Sequence, residues 1–215
     1  MKILVVSASL GGFDKRQSHI EQSIECDYYH YTDENFPPRT KSMTPRLQAR
    51  IPKMMSWQMN PGYDYYLWVD SSCKLSDKDS VKWFLQQLGN ADIAAFKHPN
   101  RQTVQEEADY LNERLELERA GKKQLYILPR YENERIDDQL KEIDPSGKLY
   151  ATTAFIYKND APARDLLTIW WHNTSLFHSN EQLSLAHAIT SSGARANVIP
   201  DDYLKCKYLE YVRNK

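Results

Sequence analysis

Asp70 follows an aromatic and aliphatic run, Tyr65-Tyr66-Leu67-Trp68-Val69, and precedes two serines. Its carboxylate can give hard oxygen ligands to Mg²⁺ or Mn²⁺, and Ser72 can add a hydroxyl or hold a bound water. Asp and Ser also cap helices and start turns, which is the plainer alternative. Arg46, Arg50 and Lys53 are spaced four and three apart, on one face of a helix. Such a face can clamp phosphates, because arginine presents a fork of donors, or it can simply be solvated. Lys97-His98-Pro99-Asn100-Arg101 is a dense polar cluster. His98 can exchange protons or donate hydrogen bonds, and Arg101 can hold an anion or hydroxyl groups. Glu181 is read either as a charge complementing a helix N-terminus or as a carboxylate facing a ligand.

These residues need elements to position them. Lys2–Ser9 reads as a first strand running into a glycine turn, Gly11-Gly12-Phe13-Asp14. Glycine there lets backbone N–H groups approach a ligand closely, but a GxGxxG fingerprint is absent, and a plain tight turn fits equally. Asp27–Thr32 is a second strand ending at Asp33. Thr44 and Pro45 open a helix to about Gln58 that Pro52 must kink or interrupt. The run ending at Val69 reads as a strand buried on both faces, which puts Asp70 at the edge where open α/β sheets bind ligands. A helix over about 77–88, a strand at 91–96, a charged helix over about 102–120 and a second over about 132–143 follow. The 102–120 helix has an apolar stripe of Val104, Ala108, Leu111 and Leu115, with most of its charges read as a solvated face. Residues 124–129 read as irregular. A strand at 149–157, a helix at 162–172 carrying Trp170 and Trp171, a helix at 183–189 and a strand at 196–199 complete the order. The tail carries Lys205, Lys207 and Tyr208, and either folds over a diphosphate or is a basic end. Strands alternating with helices predict an α/β sandwich with a mostly parallel sheet.

The chain has 215 residues, consistent with one domain over 1–215, and 41% hydrophobic residues, enough for a core. A net charge of −1 gives no support to a nucleic-acid binder. Three cysteines without a CxxC pair argue against a disulfide framework or zinc cluster and for a reducing, cytoplasmic setting. No apolar run is long enough for a membrane span.

Taken in order, these segments resemble a glycosyltransferase-like family of plants and microbes that includes plant mucilage-polysaccharide proteins. Gly11-Gly12-Phe13-Asp14 is similar to its glycine-glycine-aromatic-aspartate entrance, and Tyr31-Thr32-Asp33 to its aromatic-Thr-Asp strand end. Arg50-Ile51-Pro52-Lys53 resembles its Arg-x-x-Lys helix, and Leu67-Trp68-Val69-Asp70 its central Trp-Ile-Asp. His98-Pro99-Asn100-Arg101 followed by Glu106-Glu107-Ala108 resembles its most specific signature, His-Pro-x-Arg…Glu-Ala. Glu181-Gln182-Leu183-Ser184 resembles its Asp-Gln-Leu-Ser.

The resemblance implies a GT-A fold with a nucleotide-diphosphate-sugar site, UDP among the nucleotides, at the strand ends and usually a divalent metal. It implies that Asp33 and the Ser9–Gly12 turn touch the nucleotide. Arg46, Arg50 and Lys53 hold the diphosphate, with Ser72, Gln182 and Lys205 nearby, and Asp70 binds Mn²⁺ or Mg²⁺. His98, Arg101 and Glu181 face the sugar or the acceptor. Two departures stand out. Asp70-Ser71-Ser72 replaces the Asp-x-Asp of many GT-A enzymes, and a family Arg-Asp-Gln becomes Asn180-Glu181-Gln182. Glu181 is the base if the reaction inverts, and a positioning group if it retains configuration. The acceptor is a glycan or another hydroxyl compound, with a modified nucleic-acid base also open. Two rival readings are a flavin or nicotinamide reductase using the 7–12 turn, which leaves Asp70 and the His98 loop unexplained, and a non-catalytic sugar-nucleotide or glycan-binding module.

Overall fold

The structure is a computed structural model that describes residues 1–12, 17–39, 41–121 and 132–212. Six strands build the central sheet: β1 (Ile3–Ala8), β2 (Asp27–Tyr31), β3 (Tyr65–Val69), β5 (Ile93–Lys97), β6 (Tyr150–Lys158) and β7 (Ala196–Ile199), in the order β2-β1-β3-β6-β5-β7. Every neighbouring pair is parallel except those of β6, which runs antiparallel to both β3 and β5. The C-terminal ends of β1, β2, β3 and β5 therefore share one edge with the N-terminal end of β6.

The alternation of side chains along each strand divides the core. Leu4, Val6, Tyr66, Trp68, Phe155 and Tyr157 pack on one face with Met54, Leu166 and Trp170 from α1 (Pro45–Met59) and α5 (Ala161–Leu176). Ile3, Val5, Leu67, Val69 and Ile156 pack on the other with Val81, Phe84 and Leu88 of α2 (Ser80–Leu88). Two covered faces explain why β1 and β3 read as continuous apolar runs rather than alternating ones. A third cluster joins α3 (Val104–Arg119), α4 (Glu132–Glu142) and α6 (Gln182–Ser192) through Val104, Leu111, Leu115, Ile136 and Leu183.

The predicted order of elements holds except between β1 and β2, where strict strand–helix alternation would put a helix and the described residues 17–26 form none; the other differences are local. Thr44 caps α1 by accepting the Leu47 N–H, and Pro52 bends the helix without ending it. The non-helical residue is Met55 (φ −113°, ψ 18°). Ser56 Oγ donates to the Pro52 carbonyl inside this bend. Unanticipated is a two-stranded antiparallel sheet of β4 (Cys73–Leu75) and β8 (Leu209–Tyr211). Three-residue strands carry too little pattern to be seen, yet Leu75 and Leu209 pair there and both are buried. Val212 N–H then donates to the Ser72 carbonyl at 2.8 Å, fastening the segment that leaves Asp70. The irregular reading of 124–129, and Phe13 and Asp14 of the glycine turn, lie outside the described residues. Cys26, Cys73 and Cys206 form no disulfide. Among the described residues, no helix is long and apolar enough to cross a membrane.

Candidate active site

Asp70 is the first residue after β3. Its N–H donates to the Thr153 carbonyl at 2.8 Å and its carbonyl accepts from Cys73 N–H at 2.8 Å, so its backbone starts a turn. Its side chain does something else. Oδ1 accepts from the Trp68 indole at 2.7 Å and from Lys53 Nζ at 3.2 Å, and the side chain keeps 30% exposure at the open edge of the sheet. The backbone of Asp70 thus serves the turn, while its side chain is held by Trp68 and Lys53.

The cations of α1 are not a solvated face. Lys53 is 1% exposed, with Nζ 5.4 Å from the centroid of the Trp68 ring. Nζ donates to Glu181 Oε1 at 2.7 Å as well as to Asp70, which brings the two carboxylates within about 6 Å of each other through one shared ammonium. Arg50 places Nε 2.7 Å from Glu181 Oε2 and 3.3 Å from the Ser179 carbonyl. Arg46 lies one turn earlier on α1 and is half-buried.

Glu181 occupies the N-cap position of α6 but gives its own helix no side-chain cap. Its carboxylate turns inward, where Thr152 of β6 also donates to Oε1 at 2.7 Å. Burial alone would raise its pKa. Arg50 first, then Lys53 and its hydrogen bond, outweigh burial and hold the group well below the usual carboxylate range. The Trp170 indole fixes the backbone here by donating to the Glu181 carbonyl at 2.7 Å. Gln182 turns away to donate to the Tyr150 carbonyl at 3.2 Å.

His98 leaves β5 at the same edge and is buried. Its Nδ1 accepts from the backbone N–H groups of Arg101 (3.0 Å) and Asn100 (3.3 Å). Burial, then the charge of Arg101, push its pKa down to about 4, so the ring is neutral at physiological pH. Arg101 pairs with the buried carboxylate of Glu107 and lies over the Tyr110 ring at 3.9 Å.

At the β1–β2 end, Gly11 N–H donates to both carboxylate oxygens of Asp33, at 3.1 and 3.0 Å. Ser9 N–H donates to the Tyr31 carbonyl at 2.9 Å, which holds the two strand ends together. Gly11 and Gly12 have φ of 70° and 71°, a conformation that glycine adopts without strain. Ser72 is half-buried, and its carbonyl is the acceptor for Val212. Lys205 is 83% exposed, with Asp202 3.5 Å away as its ion-pair partner.

Thr152 was not singled out from the sequence, and Asn180 and Glu107 stood there only as members of the resembling motifs, without a role at the site. For Glu107 a signal was available: it falls three residues after Val104 and four before Leu111, on the apolar stripe of α3, where a carboxylate needs a partner. Among the described residues, no three His, Cys, Asp or Glu side chains are grouped so as to hold a metal ion. The donors present do not make a closed protein cage. Asp70, partly exposed and with Oδ2 not engaged by Lys53 or Trp68, does suit an ion that takes its remaining ligands from phosphates and water.

The fold is also that of a solved glycosyltransferase described as involved in glycosylation of the major capsid of PBCV-1. The two share 12% identity over 99% of this chain and 95% of that one, with a TM-score of 0.50. No curated protein sequence matches the chain significantly. The sequence profile of TOD1/MUCI70, glycosyltransferase-like domain, matches residues 40–214, which span α1 with Arg50 and Lys53, Asp70, the His98 loop and Glu181, and the chain belongs to that family.

Proposed function

We propose that the protein transfers a glycosyl group from a nucleoside-diphosphate sugar, with UDP as the nucleotide, to the hydroxyl of a glycan or another hydroxyl acceptor. The observation that carries this reading is the buried Lys53 joining Asp70 and Glu181 where the sheet opens to solvent. In the reaction the acceptor oxygen bonds to the anomeric carbon and the bond from that carbon to the diphosphate breaks. The hydroxyl proton ends on the departing diphosphate or on solvent.

The diphosphate gains negative charge as it leaves, and fixed cations that stabilise it lower the barrier. Arg50 uses Nε for Glu181 and Ser179, leaving its terminal nitrogens to face the phosphates. Arg46 adds charge from the preceding turn. Lys53 acts from beneath, holding Asp70 in one orientation. Asp70 would hold Mg²⁺ or Mn²⁺ through Oδ2, with Ser72 beside it. When bound, such an ion supplies Lewis-acid stabilisation of the diphosphate. Asp33, shaped by its bonds to Gly11, and the Ser9–Gly12 turn face the nucleotide, while His98 and Arg101 face the sugar or acceptor.

Glu181 fits a positioning role better than that of base. A general base works best with a pKa near the operating pH, and a carboxylate held far below it gives up little by staying charged. The test is hydrolysis or transfer from a panel of sugar nucleotides with Mn²⁺ or Mg²⁺. Turnover that Asp70→Ala abolishes supports the transferase, and donor binding without turnover of any donor would place the chain among binding modules.

A further inference from the structure

Glu107 lies outside the set of groups assigned above, yet it is a fully buried carboxylate bonded on both oxygens to loops of the site. Oε2 pairs with Nε of Arg101. Oε1 accepts from Asn180 Nδ2 at 2.9 Å, and Asn180 immediately precedes Glu181. Asn180 is itself fixed, its N–H donating to His98's counterpart in this turn, His178 Nδ1, at 3.0 Å. One side chain of α3 thus sets the distance between the loop after β5 and the turn before α6.

What this arrangement holds in place is a pair of donors. His98 Nδ1 accepts two backbone N–H groups, so the neutral ring carries its proton on Nε2. Arg101 Nη2 stands 3.3 Å from that nitrogen. Both atoms are donors, so neither satisfies the other, and a guanidinium has no acceptor to offer. An oxygen at ordinary hydrogen-bond distance from both would complete the pair. The Arg101 guanidinium cannot turn away, being fixed by Glu107 along one edge and by the Tyr110 ring across its face.

The geometry points to Glu107 as a positioning residue that, with Tyr110, locks Arg101 beside His98 so that Nε2–H and Nη2–H converge on a single oxygen of the sugar or acceptor. This rests on the transferase reading. A purely structural Glu107 would stabilise the fold without acting through Arg101, so the deciding measurement is a double-mutant cycle. Glu107→Gln, Arg101→Lys and the pair are compared by kcat/KM with a sugar nucleotide that the wild type turns over, at a temperature below each variant's melting point.

Glu107→Gln lowers kcat/KM by about 10- to 100-fold, as misplacement of a contacting group does. In the Arg101→Lys background the same change costs less than about threefold, because contacting residues are not additive. Tyr110→Leu, on a half-exposed position that disturbs no buried charge, lowers kcat/KM in the same direction and serves if Glu107→Gln does not fold. Additive effects of Glu107→Gln and Arg101→Lys, or an unchanged Tyr110→Leu enzyme, overturn the positioning role while leaving the transferase intact. A wild type that turns over no donor overturns the transferase and this inference with it.

Discussion

Lys53 Nζ stands 2.7 Å from Glu181 Oε1 across a sequence separation of 128 positions, with both side chains buried. The same ammonium reaches Asp70 at 3.2 Å. A cation from α1 therefore neutralises carboxylates from the end of β3 and the start of α6, and three elements converge on one nitrogen.

Removing that nitrogen leaves Glu181 buried with Arg50 as its cation and the Thr152 hydroxyl as a donor. Lys53→Met should destabilise the fold by about 3–5 kcal/mol, the cost of breaking a buried pair from one side. Adding Glu181→Leu should restore much of the loss, since an apolar replacement of the whole pair is often neutral, but should not restore activity. Urea unfolding of the single and double variants reads the difference.

Stability should fall on mild acidification because of His98. Its pKa is lowered in the fold to about 4 from an ordinary 6.5, so below the ordinary value the unfolded chain binds the proton that the folded chain refuses. The contribution is present above pH 6.5, declines toward pH 4 and amounts to about 3 kcal/mol at most. Glu181, depressed in the fold, adds a second loss that begins below the ordinary glutamate range of about 4.3. The raised pKa of Glu107, set mainly by burial, works the other way and in a different window: its contribution is present below the ordinary glutamate value and is lost as pH rises above it. His98→Asn keeps an acceptor for the two backbone N–H groups and removes the ionisation, so its unfolding midpoint should change less between pH 7 and 5 than that of the wild type.

Donor binding should be visible as stabilisation. UDP with Mn²⁺ at about 100 times its dissociation constant adds about 2.7 kcal/mol to the folded state. Asp70→Asn should lose the part of the thermal shift that depends on Mn²⁺ and keep the part that UDP gives alone. An equal Mn²⁺-dependent shift in that variant would exclude Asp70 as the ligand.

Trp170 is a core residue with one polar duty, its bond to the Glu181 carbonyl. Trp170→Phe keeps much of the ring packing and removes that bond, leaving the carbonyl to the Ser184 N–H at 3.2 Å, at a cost of about 0.5–1.5 kcal/mol. Because the lost bond anchors Glu181, kcat/KM should also fall. Calorimetric melting with parallel turnover assays separates the two effects.

Local pattern determined much of this protein. The apolar runs of β1, β3 and β6, the Thr44–Pro45 helix start and the polar residues just past Val69 and Lys97 are short-range signals. They were enough for the strand order along the chain, for the mostly parallel sheet and for placing Asp70 and His98 at strand ends. Side-chain partnership was not legible. Whether Arg50 and Lys53 met water or carboxylates depended on the rotation of α1 against the sheet. Glu181 as an inward ligand of both cations, and Glu107 as the tie between Arg101 and Asn180, depended on contacts between residues more than seventy positions apart. A sequence displays periodicity within an element, but burial of a charge is decided only when another element arrives to cover and neutralise it.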